Sequence, residues 1–276
     1  MMKTYTLLNG VEIPAVGFGT YLATEGNGKQ GILNAFAAGY RYLDTASFYK
    51  NEEEIGEAIR ESGISRKELF LASKVWRTEM GYEETKTAFA ASLQRLGTDY
   101  LDLYLIHWPK ASADTPDWKQ RIQDTWRAME ELYEAGQIRA IGLSNFLPHH
   151  IEALLETAKV MPMVNQLELH VGYMQEEAVR YSQEKGILVQ AWSPLGRRKL
   201  LTEPVIQSFA SKYQVTVAQL LLGFLDQQGI SVIPKASTVE RCKENLDIHG
   251  FTLSNEDMYF LKCLPQMGWS GEHPDL

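Results

Sequence analysis

Eight short apolar runs, each followed by a segment of helical period, constrain this chain more than any other feature. They read AVGFGT (15–20), YRYLDTA (40–46), LFLASKV (69–75), LDLYLIHW (101–108), IRAIGLSN (138–145), MVNQLEL (163–169), ILVQAWS (187–193) and ISVIPKA (230–236). Their starts are mostly 24 to 37 residues apart, about the length of one βα unit. The intervening segments carry apolar stripes at spacings of three and four. In 117–137 the residues Ile122, Trp126, Met129 and Tyr133 share a face, with Asp117 placed to cap the start and Gly136 the end. Another helix, ending at Gly63, buries Ile55, Ala58 and Ile59. The long gap after the seventh run holds two helices, and 255–264 reads as an extra one. Ahead of the first run, TYTLLNGVEIPAV alternates around Asn-Gly, the signal of a type I′ hairpin.

Eight such repeats predict an α/β fold, a (β/α)8 TIM barrel with an N-terminal β-hairpin. A doubly wound nucleotide-binding sheet would usually carry G-x-G-x-x-G after its first strand; here GFGTYL (17–22) lacks the third glycine, and no Walker A sequence occurs. The chain's 276 residues, with no linker or long charge block, predict one domain over 1–276. A net charge of −8 argues against nucleic acid. No apolar run approaches a membrane span, and two cysteines make no disulfide framework, so a reducing cytoplasm is expected.

In a parallel barrel, polar residues at the C-terminal ends of strands share one mouth. Here those are Thr20, Asp44, Lys74, His107, Ser144 with Asn145, Gln166, Ser193 and Lys235. Singly, each has an ordinary reading. Asp44 can cap the next helix, Lys74 can snorkel, His107 can be a bonded core histidine, Ser144 and Asn145 can be turn residues, and Gln166 a satisfied barrel-layer group. An acid, a lysine and a histidine ending three consecutive strands favour a site. Tyr49, five residues past Asp44, then gains a chemical role, although packing at the turn remains open to it. A free phenol titrates near about 10. Lys74 is expected to lower that value while Asp44 keeps Lys74 charged, so that Tyr49 donates a proton to a carbonyl oxygen that His107 orients.

With these residues the sequence strongly resembles the aldo-keto reductase family, and in particular its short-loop bacterial members reducing diketo-gluconate and glyoxal. The likeness runs through GFGTY (17–21), GYRYLDTASFYKNEEEIGEAI (39–59), LFLASKVW (69–76), LDLYLIHWP (101–109), AIGLSNF (140–146), NQLELH (165–170), QAWSPLG (190–196) and VIPKAST…ERCKEN (232–245). It implies a barrel whose bottom is closed by the hairpin, and a catalytic tetrad of Asp44, Tyr49, Lys74 and His107 with Tyr49 as general acid. It also implies a nicotinamide cofactor, usually NADPH. The resemblance sets the carboxamide near Ser144, Asn145 and Gln166, and Trp192 against the nicotinamide ring. Ser193, Pro194, Leu195 and Gly196 would lie over the pyrophosphate, with Gly19 and Thr20 also lining the cofactor. The adenosine 2′-phosphate falls to Lys235, Ser237, Thr238 and Arg241, and the adenine to Glu244 and Asn245.

Charge agrees independently. Arg197, Arg198, Lys199, Lys235, Arg241 and Lys243 gather in the last two βα loops of an acidic protein, which suits an anion, a solvated basic surface being the alternative. The sequence departs from the family pattern at Ala236, where serine is common, at Val239, where proline is common, and at Arg198, where a second glycine is often found. These weaken the preference for NADPH over NADH and leave the tetrad untouched.

Tyr21, Phe48, Trp76 and Trp108 are expected to form an aromatic substrate wall beside Tyr49 and His107, with rim packing as the alternative. The short segment 110–117 and the brief tail after Cys263 predict an open pocket for small carbonyl compounds. His149 and His150 are adjacent rather than at metal-ligand spacing, so no metal is expected. A monomer is expected. Two other readings stand beside a reductase: a catalytically idle NADP(H)-binding regulatory subunit, and a barrel lyase or isomerase whose basic loops hold a substrate phosphate.

Overall fold

The apolar runs become strands because parallel strands covered by helices are buried on both faces and tolerate little but branched and aromatic side chains. The computed structural model describes residues 3–26 and 28–275. A hairpin of β1 (Thr4–Thr6) and β2 (Glu12–Pro14) precedes eight parallel strands: β3 (Phe18–Gly19), β4 (Tyr42–Asp44), β5 (Phe70–Val75), β6 (Leu103–Ile106), β7 (Ile141–Ser144), β8 (Val164–Glu168), β9 (Leu188–Trp192) and β10 (Ser231–Val232). Each pairs with its sequence neighbour, in the order β3 to β10.

The sheet closes on itself. Gly17 N donates to Val232 O, Val232 N to Ala15 O, and Gly19 N to Pro234 O, joining the first strand to the last. Gly19 is needed at that seam, since a Cβ there would meet Ile233 O at 2.9 Å. The expected (β/α)8 barrel is therefore present. Around it lie α1 (Gln30–Ala38), α2 (Glu52–Ser62), α3 (Tyr82–Leu96), α4 (Trp118–Glu134), α5 (Pro148–Leu155), α6 (Glu176–Glu184), α7 (Pro204–Lys212), α8 (Val217–Asp226), α9 (Val239–Leu246) and, after the last unit, α10 (Asn255–Lys262). Gly63 ends α2 in the left-handed conformation as expected.

Two local expectations are corrected. The hairpin turn is not type I′, because Asn9 does not take a positive φ. Gly10 N instead donates to Leu7 O, and Gly10 alone is left-handed at φ +83°, which adds a bulge before Val11. At the start of α4, Asp117 occupies the capping position but makes no cap hydrogen bond, its carboxylate turning to Arg121 at 2.9 Å.

The hairpin covers the N-terminal end of the barrel. Its Leu7 and Ile13 are buried, Lys3 and Tyr5 both reach Asp226 at the end of α8 at 2.9 Å, and Asn9 donates to Arg139 O. The opposite end is free to hold a site. No described helix is long and apolar enough to cross a membrane.

Candidate active site

Asp44 ends β4, and its neighbours in the closed sheet carry the other polar groups. Lys74, one residue before the end of β5, is fully buried, and its Nζ lies 2.5 Å from Asp44 Oδ1 and 2.9 Å from Thr45 O. Burial pushes the Lys74 pKa down and the charge of Asp44 opposes it, the balance staying below the ordinary lysine value. The second carboxylate oxygen accepts from Gln166 Nε2 at 2.8 Å. Gln166 sits inside β8 rather than at its end, below the mouth. It also donates to Gln190 Oε1 at 2.7 Å, which in turn accepts from Tyr42, while Gln190 Nε2 donates to Ser231. A buried polar chain thus crosses the barrel and fixes Asp44 from behind. Sequence reasoning missed Gln190 and Tyr42. The one clue was a glutamine inside an otherwise apolar run.

Tyr49 lies in a 3-10 turn after β4, half-buried, its ring 5.2 Å from Lys74 Nζ. The His107 ring stands 5.6 Å away at 77°. The tetrad is thus brought together, but the expected acidification of Tyr49 is not found. Burial pushes its hydroxyl well above the ordinary phenol value, and Asp44 reinforces the rise. Desolvation of the phenolate is the largest cause, and the lowering influence of Arg197 is small beside it. Burial likewise drives His107 well below the usual histidine value, with Lys74 and Arg77 adding to the shift. Both groups therefore rest neutral near pH 7, the phenol holding its proton. His107 Nδ1 is buried without a partner.

Thr20 donates to Asp44 O at 2.9 Å, and Ser144 to Gln166 O at 3.1 Å. Asn145 adopts a left-handed backbone at φ +64°. Its Nδ2 donates to His107 O at 3.0 Å, and its Oδ1 accepts from Trp192 Nε1 at 2.8 Å. Nδ2 also donates to Ser144 Oγ at 3.2 Å. Asn145 Oδ1 and Ser144 Oγ each accept one bond and keep a second lone pair, and Gln166 Oε1 keeps acceptor capacity as well. Trp192, ending β9, remains part-exposed.

The loop after β9 is folded through a run of left-handed residues: Ser193, Gly196, Arg197 and Arg198 have φ of 49°, 55°, 50° and 73°. Arg198, at the place of the family's second glycine, bears the steric penalty of that conformation, which marks the loop as held by its surroundings. Pro194 is buried and Leu195 partly so. After β10, Lys235 is exposed and donates to Leu22 O at 3.0 Å, and Thr238 caps α9 through Arg241 N. Ser237 O accepts from Asn34, Asn245 is buried and Glu244 partly exposed. Among the described residues, Arg197 alone of the six basic residues enters an ion pair, with Glu272 at 2.6 Å. Arg241 and Lys243 stand on α9 rather than in a loop, so the expected basic cluster is split between the two loops and the first turns of that helix. Five cations without a carboxylate partner there fit an anionic cofactor.

Phe48 stacks on Trp76 at 3.8 Å, Tyr21 lies 5.1 Å from the Tyr49 ring, and Trp76 lies 5.0 Å from His107. Tyr21 and Phe48 are 47% and 43% exposed, large for aromatics, as a pocket rim requires. Trp108 is 6% exposed, close to the 7% of His107, and lies against the Arg77 guanidinium.

The tail, although short, is fastened to the rim at several points. Met267 N donates to Gly172 O, Ser270 Oγ to Glu168 at 2.6 Å, and Glu272 pairs with Arg197. Asp275 is gripped by Lys110 at 2.5 Å, His150 at 3.0 Å and His149 at 3.3 Å. The two histidines and Asp275 thus form a group of metal-ligating types that their adjacency in sequence did not suggest. Lys110 already neutralises that carboxylate.

Fold and family make this chain a barrel oxidoreductase. The chain belongs to the aldo/keto reductase family, whose model matches residues 17–263. It is 46% identical to the glyoxal reductase of Bacillus subtilis (strain 168) over 276 residues, covering 100% of this chain and 97% of that one. An aldehyde reductase of Saccharomyces cerevisiae is 39% identical, with 96% and 91% covered. Among solved structures, an aldo/keto reductase from Brucella melitensis superposes with a TM-score of 0.88 at 42% identity, covering 95% and 99%. An aldo-keto reductase crystallised with NADPH matches with a TM-score of 0.88 at 35% identity, covering 98% and 89%.

Proposed function

We propose that this protein reduces small aldehydes and ketones to alcohols with NADPH. The observation that carries the reading is the buried Lys74–Asp44 pair at 2.5 Å beneath Tyr49 and His107, whose rings are 5.6 Å apart in one mouth. When bound, NADPH supplies hydride to the carbonyl carbon. Charge then builds on the carbonyl oxygen, and Tyr49 delivers its proton there. A raised pKa does not oppose this step, because it keeps the phenol protonated until an alkoxide, the stronger base, develops beside it. As phenolate character grows, the Lys74 ammonium stabilises it, and Asp44, held by Gln166, keeps Lys74 charged in a dry site. His107, neutral, orients the carbonyl oxygen by hydrogen bonding.

Trp192 and the loop Ser193–Gly196 would hold the nicotinamide and pyrophosphate, with Ser144 and Gln166 offering acceptors to the carboxamide. Lys235, Ser237, Thr238 and Arg241 would receive the 2′-phosphate. The aromatic rim of Tyr21, Phe48 and Trp76 suits compact carbonyls, and the glyoxal reductase relative points to dicarbonyls such as methylglyoxal. The test is quenching of protein fluorescence by NADPH and NADH, followed by absorbance at the reduced-nicotinamide band with methylglyoxal and a nitrobenzaldehyde. Carbonyl-dependent oxidation of NADPH is expected. Binding without turnover on any carbonyl would leave the idle regulatory subunit, and no binding of either nucleotide would remove the reading.

A further inference from the structure

The mouth contains a cation that the proposed reaction does not use. Arg77 opens the 3-10 turn after β5, three residues past Lys74. Its guanidinium lies 5.0 Å from the Trp76 ring centre and 4.8 Å from that of Trp108. Nη1 makes a long hydrogen bond to Ala111 O at 3.3 Å, while Nε is buried with no partner. Among the described residues Arg77 enters no ion pair. Burial pushes its pKa below the usual guanidinium value, and Glu272 of the tail opposes this from longer range. Nε is closed off from solvent, so an incoming acceptor reaches the guanidinium at its Nη edge, where Ala111 O takes one long bond and Nη2 makes none among the described residues.

Its position ties that edge to the substrate pocket. The Trp76 ring beside it also faces His107 at 5.0 Å, and the Arg77 charge contributes to holding His107 neutral. The cation therefore borders the same pocket as the imidazole proposed to orient the carbonyl. We propose that Arg77 selects carbonyl substrates that carry a carboxylate, which its planar donor fork receives while the carbonyl end lies at Tyr49 and His107. This rests on the reductase reading and adds the charge of the substrate to it. A single guanidinium flanked by aromatic rings suits a planar monoanion, whereas a phosphate needs more donors than this corner offers. The competing role is a cation–π brace between Trp76 and Trp108, which would affect neutral and anionic substrates alike.

The experiment compares 4-carboxybenzaldehyde with 4-cyanobenzaldehyde as substrates of the wild-type protein, R77M and R77K, at low and high salt. The wild type is expected to favour the carboxylate by roughly 10- to 100-fold in kcat/KM, chiefly through KM and less at high salt. R77M should lose that preference while changing the neutral aldehyde by a small factor only, and R77K should restore part of it. No preference in the wild type, or an equal loss on both aldehydes in R77M, overturns the proposal. Benzoate against benzamide, titrated by fluorescence into the NADPH complex, reads the same contact without turnover. Benzoate binding that R77M abolishes supports the carboxylate site even if both aldehydes prove inert, in which case only the reductase reading falls. Equal binding of both compounds overturns the site.

Discussion

The two ends of the barrel treat charge in opposite ways. At the N-terminal end, Asp102 is fully buried, yet Arg66 and Arg139 each reach it at 2.7 Å and Leu71 N donates to it. Asp226 is met there by Lys3 and Tyr5. At the C-terminal end Asp44–Lys74 and the rim pairs Lys110–Asp275 and Arg197–Glu272 are closed, but His107 Nδ1 and Arg77 Nε lack partners and, among the described residues, Arg198, Lys199, Lys235, Arg241 and Lys243 enter no ion pair. Compensated charge at one end holds the fold together. Uncompensated charge at the other is stability withheld from folding and left available for a ligand.

Breaking each end should therefore move different quantities. Tyr49→Phe should give the largest effect, lowering kcat by about three orders of magnitude. Folding and NADPH affinity should hardly change, as urea unfolding and fluorescence titration would report. Turnover at the wild-type rate after that substitution would remove Tyr49 as the acid. Asp102→Ala should do the reverse, costing about 3–5 kcal/mol by stranding two arginines against a buried gap. Activity per folded molecule should persist, and a lost kcat with intact stability would erase the contrast between the ends.

The tail gives a pH-dependent test. Burial, with help from His149 and against Asp275, brings His150 down to about 4. Burial would raise Asp275, but Lys110 and the two histidines bring it down to about 2. Above about pH 6.5 His150 is neutral in both folded and unfolded chains. As pH falls from there towards 4, the unfolded chain takes up a proton that the folded chain refuses, so stability drops, by about 3 kcal/mol in full. The Asp275 contribution is lost lower, between about 4 and 2. Urea midpoints measured from pH 7 to 4 should fall in the wild type and fall less in His150→Asn. Identical curves would mean that the tail does not sense pH through His150. The smallest effect is expected for Lys235→Met, a weakening of NADPH by about tenfold with NADH nearly unaffected. An equal loss for both nucleotides would place the 2′-phosphate elsewhere.

Much of this architecture was legible in the sequence. Strand and helix periods are local, so the eight units and the N-terminal hairpin could be read directly. Parallel strands in a barrel must present their ends at one mouth, which brought Asp44, Lys74 and His107 together without coordinates. The hairpin turn was misjudged because Asn-Gly permits type I′ geometry without requiring it, and strand pairing decides between that turn and a bulge. Arg77 was passed over because a lone arginine after a strand looks solvated until two tryptophans are found against it.

What the sequence by itself determined is thus the order of elements, the kind of barrel they close into and which polar side chains reach its mouth. Tertiary structure alone decided the partners. Gln166 reaches Asp44 across 122 residues, and Asp275 reaches Lys110 across 165. It also decided the direction of the Tyr49 shift. The charges near a phenol can be guessed from neighbouring strand ends, but the water it loses depends on every atom packed around it, and here that loss is the larger effect.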